Sequence, residues 1–547
     1  MCYSETMETT NTQTKSQKKQ QKSYALYPHQ DKCVKLTLEN TLGTFSYPTG
    51  TGKQVCISNS IIAHIKQKKG FGVYAVMVPR ILLGEQLILD IWNNVVNISK
   101  LSCSFYSNHS GSNLEVEDAA KKYCAEDMVG VFTDGGTDQN LLREKLEAAG
   151  FPTDALKDGK SGIDYRNLTL EITKARDARR PMIIVSTYHS MDSLFAALDR
   201  LKMKLSVLYC DEAHNAVAER FHKIHDLPAK KRFYFTATPK NTDGILGMNN
   251  EETFGPKLDE MSPAEAIAKN LIVKPRVHFI TSREQVTSKS EAAADIQAIL
   301  AAYVSHHEIV RKNGISGKLL VAARGSKEIK DIMEKTNFFG ALRERHTNLR
   351  VFDITSAYAP RINGVVVDRS EWLKSVQALT DNDMAIVMHY DILCEGIDVP
   401  NMTGVMPLRN LNVIKFMQML GRATRLHKED RNKNLKSEEK KKPFAWLLLP
   451  SYGEFGEENR ATVMTWVRGL REFGWMPEEI MYMTQMGAEP EVEELNDVHQ
   501  FRKETRSVFN TMFEIIQELE SERHALEADE RVLELMNNLE KSPFSHK

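Results

Sequence analysis

The chain has 547 residues, with 72 Lys and Arg against 73 Asp and Glu, and a formal net charge of −1. Hydrophobic residues make up 41% and charged residues 27%, which is typical of a globular protein. At roughly 100–200 residues per domain, the length predicts two or three domains. No run of about 18 apolar residues and no apolar signal segment occurs, so we expect no membrane span and no secretion, and a cytoplasmic or nuclear location.

The near-neutral total hides an uneven distribution of charge. Residues 489–541 contain 15 acidic and 6 basic side chains, a net of −9, and the rest of the chain carries +8 because −1 minus −9 is +8. A basic body beside an acidic segment can still attract a polyanion, since the local field and not the total charge acts on a partner. Neutrality therefore does not exclude a nucleic acid.

The first predicted elements form a parallel α/β sheet. Residues 1–23 are rich in Gln, Lys, Ser and Thr and are predicted to be a disordered tail. Beyond them, short runs of β-branched and aromatic residues alternate with helical stretches and end at turn signals, as strands covered on both faces by helices do. These runs occupy residues 43–48, 72–79, 182–187, 206–212 and 232–239. The polar stretch from about 108 to 174 is predicted to be an insertion of loops and short helices.

A second series of strands and helices follows. Its strands are predicted at residues 273–281, 318–325, 349–356, 384–392 and 444–450. The charged run 427–443 is interpreted as a solvated loop or hairpin. Beyond residue 502, apolar residues recur at helical spacing, which predicts amphipathic helices packed on the body or facing a protein partner.

These patterns predict an α/β protein with two tandem parallel-sheet domains and an α-helical C-terminal extension. The predicted boundaries are residues 24–275 for the first domain, 276–452 for the second and 453–547 for the acidic extension. The seven cysteines form no CxxC pair and are expected to be reduced, mostly buried thiols.

A glycine-rich turn, PTGTGK at residues 48–53, follows the first strand and opens a predicted helix. Its glycines let consecutive N–H groups point at an anion, the helix N-terminus adds positive potential, and Lys53 can neutralise terminal phosphates, although such a turn is often only a turn. Two positions depart from the usual pattern. Tyr47 stands in place of the first glycine, and Gln54 replaces the hydroxyl residue that helps to hold Mg²⁺, which puts metal affinity and turnover in doubt.

Two adjacent carboxylates end the strand at residues 206–212. Asp211 can bind Mg²⁺, directly or through water, while Glu212 can orient and deprotonate an attacking water. A lone Asp-Glu pair would more simply be the acidic first turn of a helix. Downstream of a phosphate-binding turn, the catalytic interpretation is favoured.

These residues resemble the superfamily 2 helicases and translocases, whose two RecA-like domains bind ATP in the cleft between them. The resemblance runs from Leu26 to about Arg431, with the motifs in family order. It implies a nucleic-acid-stimulated ATP hydrolase that uses ATP and Mg²⁺. LYPHQ resembles the adenine-recognising motif, with Gln30 in the amide position, and PTGTGK and DEAH resemble the Walker A and B motifs.

The same resemblance implies roles for further residues. Nucleotide contacts are implied for Thr49, Gly50, Thr51, Gly52, Lys53, Gln54 and, from the motif CEGIDVP, for Gly396 and Asp398. Coupling of the nucleotide to nucleic acid is implied for His214, Thr236, Thr238 and Gln418. Arginine fingers are implied at Arg422 and Arg425 in QMLGRATR, which share a helix face and, found alone, would read as a surface salt-bridge pair.

Nucleic-acid contacts are implied at strand ends. They involve Pro79, Arg80, Ser186, Thr187, Tyr188 and Arg324, each of which could equally be an ordinary strand end followed by a helix cap. The connection at 254–277 and the motifs EGIDVP and GRATRLH look closest to the branch with restriction-enzyme motor subunits and phage-type DNA helicases, which favours DNA over RNA. Two alternatives stay open: an ATP-gated nucleic-acid scaffold with weak turnover because of Gln54, and an RNA helicase.

Overall fold

The structure is a computed structural model, and it describes most of the chain between Ala25 and Gly474. The described residues are 25–109, 139–148, 151–153, 164–241, 247–281, 291–335, 338, 340, 342, 346–355, 357–390, 399, 401–431, 435–451, 465–471 and 473–474. Within these ranges, no helix combines the length and the apolar character that crossing a membrane requires.

The first half of the chain forms a seven-stranded sheet in which every neighbouring pair is parallel. Its strand order is β3-β4-β2-β5-β6-β1-β7. The strands are β1 (Leu42–Ser46), β2 (Val73–Val78), β3 (Ser104–Asn108), β4 (Met182–Thr187), β5 (Val207–Cys210), β6 (Arg232–Thr236) and β7 (Lys257–Glu260). The α-helices are α1 (Pro28–Glu39), α2 (Lys53–Lys68), α3 (Ile81–Trp92), α4 (Gln139–Ala148), α5 (Tyr165–Asp177), α6 (Met191–Leu201), α7 (Glu251–Phe254) and α8 (Pro263–Ala268).

The second half forms an eight-stranded sheet of order β12-β11-β10-β13-β9-β14-β15-β8. Strand β11 pairs antiparallel with both β10 and β12, and all the other neighbouring pairs are parallel. The strands are β8 (Lys274–Thr281), β9 (Lys318–Ala322), β10 (Leu349–Ile354), β11 (Arg361–Ile362), β12 (Val365–Val366), β13 (Met384–His389), β14 (Gly404–Pro407) and β15 (Phe444–Ser451). The helices are α9 (Glu291–Arg311), α10 (Ser326–Lys335), α11 (Arg369–Gln377) and α12 (Val413–Ala423).

The predicted fold class is confirmed: two α/β halves, each built on a largely parallel sheet, follow one another along the chain. The apolar runs predicted as strands all lie on strands of the structure, and β4 has the predicted limits. Strands β3, β7, β11, β12 and β14 were not predicted because they are short or carry polar residues. The boundaries predicted between domains stay predictions, and the helical extension lies mostly outside the described residues.

One core cluster joins the two halves. It contains Ile57 of α2 and Phe45 of β1 together with Leu420 of α12 and Val405 of β14. Continuous apolar packing from one sheet to the other fixes how the strand ends of the first half face α12 of the second. The position of the candidate site follows from this packing, because it lies between those two surfaces.

Candidate nucleotide-binding cleft

A cleft of about 690 Å³ lies between the strand ends of the first half and helix α12 of the second. Its volume is within the range of ligand pockets. The first half lines it with Gln30, Thr49, Gly50, Thr51, Gly52, Lys53, Gln54, Asp211 and Glu212, and the second half with Gln418, Arg422 and Arg425. The structure therefore brings together most of the predicted nucleotide-site residues, although they come from distant parts of the chain.

The glycine loop, residues 48–53, connects β1 to the first turn of α2. Gly50 and Gly52 have φ angles of +94° and +90°, which side chains rarely adopt, and Gly52 caps α2 from the left-handed region. Lys53 is buried, and its Nζ donates to the carbonyl oxygen of Tyr47 at 3.2 Å. The N-terminus of α2 and the Lys53 ammonium thus lie in the cleft, where both favour an anion.

Gln30 connects helix α1 to the glycine loop. Its Oε1 accepts from the N–H of Tyr27 at 3.1 Å, and its Nε2 donates to the carbonyl oxygen of Thr51 at 3.1 Å. A Cβ atom at Gly52 would lie 2.5 Å from Gln30 Nε2, so glycine is needed there for close approach as well as for its φ angle. The Gln30 amide lines the cleft, but in this structure it also holds the loop in shape.

Tyr47, which stands where a glycine is usual, is accommodated beneath the loop. Its hydroxyl donates to Asp259 Oδ2 at 2.7 Å, and its backbone N–H donates to the carbonyl oxygen of Thr236 at 2.9 Å. The ring is fully buried. Tyr47 is therefore accommodated by burial of its ring and by its hydrogen bonds to Asp259 and Thr236.

Asp211 and Glu212 follow β5 and face the glycine loop. Asp211 is buried, and its Oδ1 accepts from the N–H of Glu212 at 3.0 Å. Burial, followed by the charge of Glu212, raises the pKa of Asp211 to about 7, although the Lys53 ammonium acts in the opposite direction. Glu212 has a φ angle of +46°, a strained backbone of the kind found where function imposes a side-chain direction.

Asp211→Asn is expected to stabilise the protein at alkaline pH. The pKa of Asp211 is raised from 3.8 to about 7 in the folded protein, so the folded state holds the proton more tightly than the unfolded state. The stability that this proton provides is fully present below about pH 4 and is lost as the pH rises through 7. The asparagine removes that loss and should raise the free energy of unfolding at about pH 8 by about 1–3 kcal/mol. Urea unfolding at several pH values, with the exposed Asp177→Asn as control, measures this, and equal stabilities of wild type and Asp211→Asn at about pH 8 would contradict it.

A chain of polar contacts runs from Glu212 to the second half. Glu212 Oε2 lies 3.6 Å from His214 Nδ1 and accepts no hydrogen bond from any residue that the structure describes. His214 Nδ1 is 3.1 Å from Thr236 Oγ1, and His214 Nε2 is 3.4 Å from Gln418 Nε2 on α12. Because an amide nitrogen can only donate, Nε2 accepts and Nδ1 carries the proton.

The loop after β6 joins the same chain. Thr236 Oγ1 accepts from the backbone N–H of Thr238 at 3.1 Å. The residues predicted to couple the nucleotide to nucleic acid, His214, Thr236, Thr238 and Gln418, thus form a continuous series of contacts. A displacement of α12 would change the geometry at His214 and hence beside Glu212.

Helix α12 packs directly on the glycine loop and carries Arg422, but it ends at Ala423, so Arg425 follows the helix and the prediction that the two arginines share a helix face is wrong. A Cβ atom at Gly421 would lie 2.6 Å from Thr49 Cβ. After the helix, Arg425 bridges to Ile272, and the N–H of Val273 donates to the carbonyl oxygen of Thr424 at 2.8 Å. The connection between the two sheets therefore fixes the backbone of Arg425 at the edge of the cleft.

If the cleft hydrolyses ATP, as the sequence predicts, Gly421→Ala should lower the rate of that hydrolysis without unfolding the protein. The added methyl group would push α12 away from Thr49, and a displacement of about 1 Å at a catalytic group can lower a rate by about 10²-fold. Alanine favours the helix by about 1 kcal/mol relative to glycine, so the thermal midpoint should change little. Steady-state ATP hydrolysis measures the effect, with Gly325→Ala, where a Cβ has open space, as control. Unchanged hydrolysis by Gly421→Ala would contradict the contact.

Comparison with known protein families finds a match in the first half of the chain. Residues 23–241 match the family described as type III restriction enzyme, res subunit. This segment, 219 of the 547 residues, is related to the Res subunits. No curated protein sequence matches the chain significantly.

The fold is shared with two solved structures whose TM-scores exceed 0.5. The type ISP restriction-modification enzyme LlaBIII bound to DNA superposes with a TM-score of 0.61 at 17% identity, over 95% of this chain and 36% of that one. A nuclease-deletion mutant of the type ISP enzyme LlaGI with a DNA substrate mimic gives 0.54 at 18%, over 95% and 34%. The DEAD-box helicase Mss116 bound to ssRNA and UDP-BeF gives 0.46 at 13% identity, over 89% and 86%. The chain spans about a third of the length of the two restriction enzymes.

The residues that the sequence predicts to hold Mg²⁺ and a nucleotide are only partly of the usual kinds. Gln54 lies in the cleft lining one residue after Lys53, on the first turn of α2, and offers an amide oxygen where a hydroxyl is usual. Asp211, with a raised pKa, becomes a better metal ligand once a cation favours its ionised form. The donor set fits Mg²⁺, which takes oxygen ligands. Gly396 and Asp398 lie outside the described residues.

Several predicted nucleic-acid contacts are not presented to a ligand by their side chains. Ser186 and Tyr188 are fully buried, and the Tyr188 hydroxyl donates to the carbonyl oxygen of Asp211 at 2.8 Å. Thr187 is buried, with its Oγ1 2.8 Å from Ser190 Oγ. The Tyr188 hydroxyl therefore holds the backbone at Asp211, and a contact of Tyr188 with nucleic acid stays a prediction.

The remaining predicted contacts differ from one another. Arg324 donates to both oxygens of buried Asp295, from Nε at 2.8 Å and from Nη2 at 3.3 Å, so its guanidinium neutralises an internal charge. Arg80 is exposed at the start of α3, and Pro79 beside it is buried. Of the predicted set, Arg80 is thus the side chain that the structure places at the surface.

The charged run 427–443 is not simply solvated, because several of its charges are internal. Lys442 is buried, and its Nζ donates to the carbonyl oxygen of Ala423 at 2.8 Å and to that of Met402 at 3.1 Å. An ammonium at the C-terminus of α12 stabilises the helix that carries Arg422. Sequence reasoning missed this role because Lys442 lies in a run of lysines and its partners are distant in the chain.

A group of possible cation ligands lies in the same region. In the described part of the chain, one group of His and carboxylate side chains brings its ligand atoms within 4.8 Å of one another, namely Asp381, His427 and Glu429. Lys441 Nζ donates to Asp381 Oδ2 at 2.9 Å and to Glu429 Oε1 at 3.0 Å. An ammonium thus already balances these carboxylates, and the group acts as an ion-pair cluster behind α12.

Proposed function

We propose that the chain is an ATP-dependent DNA helicase or translocase, in which ATP hydrolysis between the two halves drives movement along nucleic acid. The observation that supports this most directly is the composition of the cleft. One wall holds Lys53, Asp211 and Glu212, and the opposite wall holds Arg422 and Arg425. Charges of this kind suit a nucleoside triphosphate, whose hydrolysis depends mainly on positioning and on charge neutralisation.

Each wall has a separate task in this proposal. Lys53 and the N-terminus of α2 bind the phosphates, while Gln54 and Asp211 would hold Mg²⁺, which neutralises charge on the phosphate oxygens. Glu212 orients a water and takes its proton, for which Oε2 is suited because it accepts no hydrogen bond from the part of the chain that the structure describes. Arg422 and Arg425 approach from the second half, so hydrolysis depends on how the halves are arranged. This dependence is what can turn hydrolysis into motion.

DNA is the proposed nucleic acid. The two solved structures with TM-scores above 0.5 are restriction-modification enzymes whose titles name DNA or a DNA substrate mimic. The charge distribution is consistent with a polyanionic partner, because the chain outside residues 489–541 carries +8. Matched DNA and RNA strands, compared at one salt concentration, separate this proposal from an RNA helicase.

The second candidate is an ATP-gated nucleic-acid scaffold with weak turnover. It is favoured by Gln54, which replaces the hydroxyl residue that usually helps to hold Mg²⁺. The acidic extension would then recruit a protein partner.

ATP hydrolysis with and without nucleic acid separates the two candidates. For the wild type, Lys53→Ala and Gln54→Thr, the motor predicts stimulated hydrolysis that Lys53→Ala abolishes. Wild-type hydrolysis as low as that of Lys53→Ala, with activity recovered in Gln54→Thr, supports the scaffold instead.

A further inference from the structure

Basic side chains are concentrated at the amino ends of four strands of the first sheet, on the edge opposite the cleft. They lie in the connections 66–72, 174–181, 199–206 and 227–231, which lead into β2, β4, β5 and β6. These connections contain 12 Lys and Arg and 2 Asp, a net charge of +10 in a chain whose total is −1. We call this surface the basic edge.

The sheet topology makes the basic edge continuous. The four strands are immediate neighbours, in the order β4-β2-β5-β6. Their first residues are in register, with Val73 opposite Met182, Tyr74 opposite Val207 and Leu208 opposite Arg232. With neighbouring strands about 4.8 Å apart, the four connections lie side by side along about 14 Å. Charges far apart in the sequence thus form one row.

Few of these charges are neutralised within the protein. Ion pairs are formed by Lys174 with Glu171 at 2.7 Å, by Lys202 with Asp199 at 2.9 Å and by Arg176 with Asp177 at 3.6 Å. The other nine bases form no ion pair with a residue that the structure describes, and all of them except Lys231 are exposed. The pKa of Lys68 is lowered mainly by partial burial and to a lesser extent by the positive charge of Lys230 in a neighbouring connection.

The helix dipole explains only part of this pattern. Basic residues are favoured in the last turn of a helix, where Lys66 and Lys68 end α2. Arg180, Lys204 and Lys230 lie beyond the helix ends, where the dipole effect has faded. Three further bases occupy left-handed positions that glycine would occupy with less strain: Lys69 (φ +48°), Arg179 (φ +54°) and Lys202 (φ +49°).

The chemistry of the basic edge suits phosphates rather than bases. The aromatic residue of these connections is Phe71, which packs against the core. Single-stranded nucleic acids are usually bound with exposed aromatic side chains on which bases stack, whereas a duplex can be held through its phosphates alone. Double-stranded DNA presents about one negative charge per 1.7 Å of its axis, so a row of about 14 Å faces several phosphates.

We propose that the basic edge binds the phosphate backbone of double-stranded DNA at a second contact, separate from the cleft. The strands between the two surfaces are up to about 20 Å long, so the edge can hold duplex while the carboxyl side of the sheet handles the nucleotide. Binding of a duplex follows from the charge of the edge, and the choice of DNA rests on the proposed function. The contact is independent of sequence and is expected to weaken with salt.

The test replaces one exposed base in each connection, in the full-length variant Lys66→Gln/Arg180→Gln/Lys204→Gln/Lys230→Gln. These four positions avoid the left-handed residues and the three ion pairs. The control variant carries the same loss of charge at exposed lysines elsewhere, Lys35→Gln/Lys145→Gln/Lys312→Gln/Lys436→Gln. Fluorescence anisotropy with a short blunt DNA duplex, without nucleotide, gives the affinity at salt concentrations from about 50 to 200 mM.

The edge variant is expected to bind duplex DNA at least about tenfold more weakly at low salt. The slope of the logarithm of its affinity against the logarithm of salt concentration should be shallower by about 3 to 4, while the control variant changes little. Equal affinity of wild type and edge variant, or an equal loss in the control variant, would overturn the proposal. A matched RNA duplex that loses as much affinity as DNA would overturn the choice of DNA. If the wild type neither binds duplex DNA nor hydrolyses ATP, the proposed function and the proposed duplex contact both fail. If nucleic acid stimulates hydrolysis by the wild type but the edge variant binds duplex DNA as tightly as the wild type, only the proposed duplex contact fails.

Discussion

Arg425→Ala is expected to lower nucleic-acid-stimulated ATP hydrolysis by about 10³-fold or more, because an arginine that neutralises a departing phosphoryl group across a cleft can be worth about 10³ to 10⁵ in rate. Arg425 lines the cleft, and a Cβ atom at Gly50 would lie 3.1 Å from its Cγ. Its position is set by the bridge to Ile272. The loss should therefore fall on the maximal rate and leave the fold intact.

The size of the effect separates catalysis from binding. Nucleotide affinity of Arg425→Ala is expected to fall by about tenfold or less, since Lys53 and the glycine loop still hold the phosphates. Arg425→Lys should recover little, because a lysine lacks the planar fork of donors. Arg468→Ala removes an exposed arginine outside the cleft lining and serves as the control. Hydrolysis by Arg425→Ala within about threefold of the wild type would contradict the assignment.

Glu212→Gln is expected to lower the maximal rate of hydrolysis by about 10²- to 10⁴-fold, the usual contribution of a general base. Glutamine keeps the shape of the side chain but cannot take a proton from water. The backbone conformation of Glu212 and the hydrogen bond that its N–H donates to Asp211 do not depend on the Glu212 carboxylate. Both should therefore persist in Glu212→Gln. Binding of Mg²⁺ and nucleotide is therefore expected to persist.

Single-turnover hydrolysis and equilibrium nucleotide binding, measured on the same preparations, test this prediction. Glu219→Gln makes the same change at an exposed position seven residues later and is expected to behave as the wild type. If Glu212→Gln hydrolyses ATP at nearly the wild-type rate, another group must act as the base. If it loses nucleotide binding instead, Glu212 has a structural role.

The parts of the site that depend on local chain geometry could be predicted from the sequence. A glycine-rich turn between a strand and a helix has only a few conformations, and Gly50, Gly52 and Lys53 occupy the positions that this turn predicts. Asp211 likewise follows directly from the end of a buried strand. Neither prediction needs to know how the two halves are packed.

Contacts between distant segments could not be predicted in this way. Gln418 reaches His214 across 204 residues, and Gly421 is required by Thr49 on the other half of the chain. Arg324 was predicted at a nucleic acid from the resemblance; its hydrogen bond to buried Asp295 could not be predicted, because the sequence does not reveal how the helix that carries Asp295 packs. The burial of Lys442 could not be predicted for the same reason, because its two carbonyl partners, Met402 and Ala423, come from separate segments of the chain.

The basic edge shows the same limit for electrostatics. Each of its connections looks like an ordinary charged turn, and only the strand order places the four side by side. The near-zero total charge of the chain thus conceals a local net charge of +10 at this edge.

Displacement of a third strand bound to duplex DNA at increasing distances from the loading site is the most direct test of the central claim, that hydrolysis in the cleft drives movement along DNA. The account predicts that the lag before displacement grows in proportion to distance, requires ATP, and is absent in Lys53→Ala. Stimulated ATP hydrolysis with no displacement, or with a lag independent of distance, would contradict movement and leave a stationary, ATP-gated clamp.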